Sequence, residues 1–151
     1  MTAPDTVFDL DSFGSLDSVE YAVHAEGNPE KLIGLKITIA GNSHPEYQKH
    51  IEVEFRKLQK QAEEEEQAKA EGKVKSAEVK SLDEIRKLNT NLIAARVLSA
   101  NLPIKFRGNP ITLGPVNALE VLSDPKFLWL TNQIRTFIEN QENFIPASAQ
   151  N

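Results

Sequence analysis

Hydrophobic residues follow two different spacings along this chain, and each spacing predicts one kind of element. Apolar and polar positions alternate in residues 20–25 and 35–40, which is typical of half-buried β-strands. A Gly-Asn-Pro sequence at residues 27–29 supplies a turn between them. The pattern therefore predicts a β-hairpin over about residues 20–40. An isolated hairpin is marginal in water, so we expect it to pack on a helix or on another subunit's sheet.

Two longer segments carry apolar residues at steps of three and four, the spacing of one helix face. A first helix is predicted over about residues 44–70, with Ser43 as its N-cap and Glu46 at the capping-box position. A second helix is predicted over about residues 81–100, with Ser81 as its N-cap. The apolar stripes are Tyr47, Ile51, Phe55, Leu58 and Ala62 in the first helix and Leu82, Ile85, Leu88, Leu92 and Ala95 in the second. We expect the two helices to pair as an antiparallel helical hairpin.

The charged segment between the two helices admits two interpretations. Residues 63–80 begin with a run of glutamates and contain Gly72. Either the first helix continues through them as a projecting stalk, or the chain becomes flexible there. Further along, Pro103 ends the second helix, and Ile104–Arg107 alternates like a short strand that could join the N-terminal hairpin.

The C-terminal block predicts a pair of shorter helices. The first is expected over about residues 115–122. The second is expected over about residues 125–141, with Asp124 as N-cap and Pro125 in its first turn. The apolar residues Phe127, Leu130, Ile134 and Phe137 recur along it at helical spacing.

Together these elements predict a mainly α fold with a small N-terminal β-hairpin (α+β), built from a helical hairpin plus a C-terminal helix pair. We expect one mostly helical domain over residues 19–146. An acidic flexible tail over residues 1–18 precedes it, and a polar tail over residues 147–151 follows it.

The N-terminal tail carries three spaced apolar residues, Phe8, Leu10 and Phe13, among acidic ones. A segment of this composition cannot bury enough surface to order itself. It is therefore either a frayed terminus or a docking peptide that orders on a partner, with those three side chains as anchors.

Composition and charge exclude several functional classes. The chain has no cysteine, which excludes disulfides and thiolate metal sites. It has no run of 18 apolar residues and no signal-peptide pattern at its start, so we expect a soluble intracellular protein. Residues 1–30 hold seven acidic residues and no basic one, and residues 43–100 hold 11 of each sign. We therefore expect no nucleic acid and no membrane as a partner.

The sequence carries no recognisable catalytic or metal-binding arrangement. His44 and His50 are six residues apart rather than the three or four that align two ligands on one helix face. His24 lies in a predicted strand, and Ser43 is adjacent to His44 in a way that suits no triad. No phosphate-binding glycine motif occurs. We expect no enzyme activity, no metal and no cofactor.

Three aromatic residues of the C-terminal block are candidate partner contacts: Phe127, Trp129 and Phe144. Trp129 lies off the centre of the apolar stripe of its predicted helix. Either the core extends around the helix to include Trp129, or its ring is an exposed anchor of the kind favoured at interface hot spots. Phe144, just past the helix end, admits the same two interpretations.

The C-terminal block resembles one protein family. Residues 114–125 read GPVNALEVLSDP, and a helix that ends in Asn-Phe follows. The tail assembly chaperones of long-tailed (siphovirus-type) bacteriophages often carry an N-A-x-x-[LV]-L-x-D-P helix and then a helix ending in N-F. The matching residues are Asn117, Ala118, Val121, Leu122, Asp124, Pro125, Asn143 and Phe144. Relatives often carry a tryptophan-glycine pair at the end of the second helix, whereas this chain has Ser-Ala-Asn-Leu at residues 99–102.

The resemblance implies a mostly helical protein of the host cell cytoplasm that binds the tail tube and tape-measure proteins. Such a chaperone prevents its partners from aggregating or polymerising early, self-associates along the tape measure, and is absent from the finished particle. The alternative is a structural virion component, a tail or head–tail connector protein retained in the particle. In that case the acidic tail and the hairpin would order by strand addition to a neighbouring subunit.

Overall fold

The computed structural model describes residues 7–72 and 82–146. In chain order, its strands and helices are β1 (Ser18–Ala25), β2 (Asn28–Ala40), α1 (Pro45–Ala70), α2 (Leu82–Ala94), β3 (Val97–Ala100), β4 (Ile104–Phe106), β5 (Asn109–Ile111), α3 (Ala118–Ser123) and α4 (Leu128–Glu139). Short 3-10 turns lie at Leu10–Phe13, Pro125–Phe127 and Gln141–Phe144. The predicted capping position Ser81 and the polar tail over residues 147–151 lie outside the described residues.

The expectation of a mainly α fold with one small hairpin is wrong, because the protein is an α+β fold with two antiparallel sheets. One sheet has the strand order β1-β2-β3, and the other pairs β4 with β5. Strands hold 24% of the structure, against 52% in helices. The strand share is typical of a globular protein and too large for a mainly α class.

The predicted second helix is also too long, because residues 97–100 leave it and pair with β2. The N–H of Ala40 donates to the carbonyl of Arg96 (2.7 Å), and the N–H of Asn101 donates to the carbonyl of Lys36 (3.0 Å). A short apolar run fits a helix and a buried strand equally well. Here the open edge of β2 decides the outcome, since a third strand stabilises a hairpin that is marginal alone.

The N-terminal hairpin is present, and its second strand is longer than predicted. β2 begins directly after a turn in which Gly27 has a φ of 72°, a conformation that favours glycine. The register places Val19 opposite Ile39 and Tyr21 opposite Ile37. The short strand predicted at Ile104–Arg107 does not join this hairpin and instead pairs with β5.

The core lies between the three-stranded sheet and the C-terminal helices. α4 packs on β1, while α2 packs on α3 and α4. Residues from both sheets and from α2, α3 and α4 meet in one hydrophobic cluster. Its members with no exposed surface are Val23, Ile37, Ile39, Val97, Ala118 and Ile134.

Side-chain caps fix where the helices begin. His44 rather than the predicted Ser43 caps α1, because its Nδ1 accepts the N–H of Glu46 (3.1 Å). Ser43 instead donates its hydroxyl to the Asp17 carboxylate (2.8 Å). The predicted cap at Asp124 is confirmed: its carboxylate accepts the N–H of Lys126 (3.0 Å), and a 3-10 turn leads from there into α4.

The N-terminal segment is tied to the domain beside Gly41. The N–H of Leu16 donates to the carbonyl of Phe144 (2.8 Å), and the N–H of Gly41 donates to the carbonyl of Asp17 (2.7 Å). A Cβ atom at Gly41 would lie 2.3 Å from the Leu16 carbonyl oxygen and 3.2 Å from the Phe144 ring. Glycine is therefore required here by close approach of the backbone.

We expect Gly41→Ala to lower the free energy of unfolding by about 1–3 kcal/mol, since the backbone around Leu16 must shift to admit a methyl group. Urea denaturation of the purified protein measures this change. Gly114→Ala is the matched control, because a Cβ there would meet its nearest neighbour at an ordinary 3.6 Å. Equal stability of the two variants would contradict the predicted close approach.

Candidate partner-binding surface

The apolar stripe of α1 lies on the surface of the protein. Tyr47, in the first turn, is buried, whereas Phe55 is 59% exposed and Leu58 is 49% exposed. Charged residues flank the stripe and brace the helix through ion pairs at helical spacing, such as Arg56 with Glu52 (2.6 Å). A helix of 26 residues is about 39 Å long. It therefore carries an apolar face well beyond the point where it joins the domain.

Arg96 holds the base of α1 against the domain. Its guanidinium lies 3.8 Å from the centre of the Tyr47 ring and donates to the Ala40 carbonyl (3.1 Å) and to the Asn42 side chain (2.6 Å). Burial lowers the pKa of the Arg96 guanidinium, and the interaction with Tyr47 opposes that shift. Sequence reasoning missed this residue because it placed Arg96 inside a continuous helix.

The apolar stripe of α2 is exposed as well. Leu82, Ile85, Leu88 and Leu92 are all exposed, while Ile93 and Ala94 face the core. The two helices approach where the Asn91 side chain donates to the Glu54 carboxylate (3.4 Å). The stripes that were expected to bury each other in a helical hairpin thus remain open to solvent. Two neighbouring helices with uncovered apolar residues form a candidate partner-binding surface.

A groove of about 950 Å³ runs between α2, α3 and α4, and we call it the helical groove. Its lining includes Arg86 and Leu88 of α2, Leu119 of α3, and Leu128 and Arg135 of α4. All three leucines are exposed. The helical groove therefore combines an apolar floor with basic groups from both sides.

The candidate anchors of the N-terminal segment are exposed. Phe8, Leu10 and Phe13 are 70%, 71% and 53% exposed. The two phenylalanine rings stack with their centres 5.4 Å apart. These side chains are therefore available to a partner, as the docking-peptide interpretation requires.

The three C-terminal aromatic candidates are buried or half-buried. Phe144 is only 5% exposed, so its ring is not a surface anchor. Phe127 is half-buried, with its ring centre 5.8 Å from that of Phe106. Trp129 is also half-buried and packs against the hydrophobic cluster, which favours the interpretation that the core extends around α4.

Gln133 of α4 fastens the helix to the edge of β1 beside Trp129. Its side-chain oxygen accepts the Tyr21 hydroxyl (2.9 Å) and the N–H of His24 (3.1 Å), and its Nε2 donates to the carbonyl of His24 (2.9 Å). Burial raises the pKa of Tyr21 above its usual 10.0, so the hydroxyl keeps the proton that it donates. Local sequence patterns could not predict this contact, because Gln133 lies 109 positions from His24 and 112 positions from Tyr21.

We expect Gln133→Leu to lower the free energy of unfolding by about 1–3 kcal/mol, because it leaves the two backbone groups of His24 without their partner. Chemical denaturation monitored by the fluorescence of Trp129 reports the change. Gln61→Leu, at an exposed position of α1, is the control and is expected to stay within about 0.5 kcal/mol of the original protein. A Gln133→Leu variant as stable as that control would contradict the prediction.

Neither a metal-binding group nor a membrane-spanning helix is found in the described part of the chain. Across residues 7–72 and 82–146, no three His, Asp or Glu side chains are grouped so that they could hold a metal ion. His44 acts as a helix cap, and His50 lies 4.0 Å from Glu54 on α1. None of the described helices is long and apolar enough to cross a membrane.

Comparisons with known proteins identify no relative of this chain. No protein-family model matches the sequence, and neither the search of curated proteins nor the search of solved structures gives a match.

Proposed function

We propose that this protein is a tail assembly chaperone of a long-tailed bacteriophage. In this proposal it binds the tail tube and tape-measure proteins in the host cell cytoplasm and keeps them from aggregating or polymerising early. One observation carries the proposal: the apolar stripes of α1 and α2, which globular proteins normally bury, lie open on the surface. The family and the partners named in the proposal rest on the resemblance of the C-terminal motif from Asn117 to Phe144.

The exposed stripes suit a client that is itself apolar. Phe55 and Leu58 alternate around α1 with charged residues such as Glu52 and Arg56. An apolar strip with a charged border attracts apolar segments while keeping the free protein dispersed. Burying one large apolar side chain contributes roughly 1.5–3 kcal/mol. A few such contacts give reversible binding, which a factor that must later release its client requires.

The length of α1 supports a helical or extended client. Its apolar positions are spaced over several turns rather than gathered in one pocket. A stripe of this kind pairs with a second amphipathic helix laid alongside it. The tape-measure protein, which the family resemblance implies is extended, is therefore the natural partner for this face.

The alternative, a structural virion component, has less support. It needs a free strand edge, and Gln133 already bonds both backbone groups of His24 on the outer edge of β1. Strand addition is therefore blocked at that part of the edge. Mass spectrometry of purified particles separates the two functions, since a chaperone is absent from them and a connector is present in stoichiometric amount.

Co-expression with the tail tube protein encoded nearest its gene tests the proposal. We expect size-exclusion chromatography with light scattering to give a soluble complex in which the tube protein stays unpolymerised. The same measurement with a soluble fragment of the tape-measure protein tests the second partner. Separate migration from both proteins, together with presence in purified virions, would reject the chaperone function.

A further inference from the structure

We propose that residues 7–13 of one copy of the chain dock into the helical groove of a second copy. Each copy has one such segment and one such groove, so an exchange of segments gives a closed dimer with two equivalent contacts. The inference concerns self-association alone and does not depend on the identity of any client.

The floor of the helical groove is apolar and uncovered. The floor is formed by three leucines from different helices, Leu88, Leu119 and Leu128, and all three are exposed. Beneath them, Ile93 and Leu122 belong to the hydrophobic cluster. The groove is therefore a surface continuation of the core, and a short apolar segment would complete it.

The border of the groove is predominantly basic. Arg86 and Lys87 lie on the α2 side and Arg135 on the α4 side. Two acidic residues also line it, Asp83 and Asp124. The carboxylate of Asp124 already accepts the N–H of Lys126 and lies 3.8 Å from the Arg107 guanidinium. The groove thus favours an occupant that combines apolar and acidic side chains.

Residues 7–13 have that combination. They read VFDLDSF, and residues 1–30 contain no lysine or arginine. The 3-10 turn Leu10–Phe13 folds the segment so that the rings of Phe8 and Phe13 stack, and Phe8, Leu10 and Phe13 are all exposed. In the proposed contact these three side chains face the apolar floor, while the exposed Asp9 and Asp11 reach the basic border. The segment and the groove are complementary in both hydrophobicity and charge.

The placement of the segment supports a second copy as the source of the occupant. Leu16 and Asp17 are tied to Phe144 and Gly41, and the described residues before them are exposed apart from the half-buried Ser12. Within one copy, both the segment and the groove are therefore uncovered. Exchange between two copies covers both at once.

Two charge-reversed variants of the full chain test the proposal without relying on loss of binding alone. The groove variant is Arg86→Glu with Arg135→Glu, and the segment variant is Asp9→Lys with Asp11→Lys. All four positions are exposed, so folding should be unaffected. In either variant like charges face each other in a homodimer, whereas in a mixed dimer of the two variants both contacts have opposite charges.

Sedimentation equilibrium of the original protein and of each variant, alone and mixed, measures the outcome. We expect the original protein to dimerise, each variant alone to bind itself at least about tenfold more weakly, and the equimolar mixture to recover the dimer. Lys31→Glu with Lys105→Glu, at exposed positions outside the helical groove, is the matched control and should dimerise like the original. An original protein that stays monomeric at all concentrations would overturn the proposal. So would a dimer that neither reversal weakens, because another surface would then form it.

Discussion

Replacing Ile134 by alanine is expected to lower the free energy of unfolding by about 2–5 kcal/mol, among the largest effects of any single substitution in this chain. Ile134 has no exposed surface and lies in α4, the helix that packs on β1, α2 and α3. Removing three carbon atoms there loses their transfer free energy and leaves a cavity that the surrounding sheet and helices can fill only in part.

Urea denaturation followed by the fluorescence of Trp129, on the same helix, measures this loss. The control is Leu128→Ala, since Leu128 is 59% exposed on α4, and we expect it to change stability by no more than about 0.5 kcal/mol. The two variants remove similar volumes from one helix and differ mainly in burial. Similar losses at both positions would contradict the placement of α4 over the sheet.

The double substitution Phe55→Asp with Leu58→Asp is expected to abolish the proposed complex with the tail tube or tape-measure protein while leaving the fold intact. Both side chains are exposed, so the folded monomer loses few contacts. In a complex each apolar side chain would contribute about 1.5–3 kcal/mol, so losing both weakens binding by roughly a hundredfold to ten-thousandfold.

Affinity measurements by isothermal titration, with circular dichroism as a check on helix content, test this prediction. Val53→Asp is the matched control because Val53 is also an exposed apolar residue of α1. Positions 53 and 55 point about 160° apart around the helix axis, so the control introduces its charge on the other side. Equal loss of affinity in the control and in the double variant would count against the proposed face.

Sequence reasoning located the elements whose signals are local. The hairpin turn, the extent of α1 and the cap at Asp124 follow from residues within a few positions of each other, and the structure has all three. The end of α2 could not be found this way. Residues 97–100 leave the helix because β2 offers a strand edge, and β2 lies about 60 residues earlier in the chain.

The candidate site was predictable only in part, because helical spacing is a local signal and burial by other elements is not. Helical spacing identified the stripes of α1 and α2, but spacing cannot tell whether another element covers a stripe. The expectation that the two helices bury each other's stripes failed for that reason. Burial of Phe144 likewise depends on Gly41 and Phe137, which lie close to it only after folding.

The central claim is that the exposed stripes of α1 and α2 bind the partner. Hydroxyl-radical footprinting tests it most directly, with the protein free and mixed with a soluble fragment of the proposed partner of this face, the tape-measure protein. We predict that Phe55, Leu58 and Ile85 lose most of their reactivity in the complex. Exposed apolar residues elsewhere, such as Leu32 at the hairpin and Leu102, should keep theirs. If Phe55 and Leu58 stay as reactive as in the free protein while other regions become protected, the partner binds elsewhere and the claim is wrong.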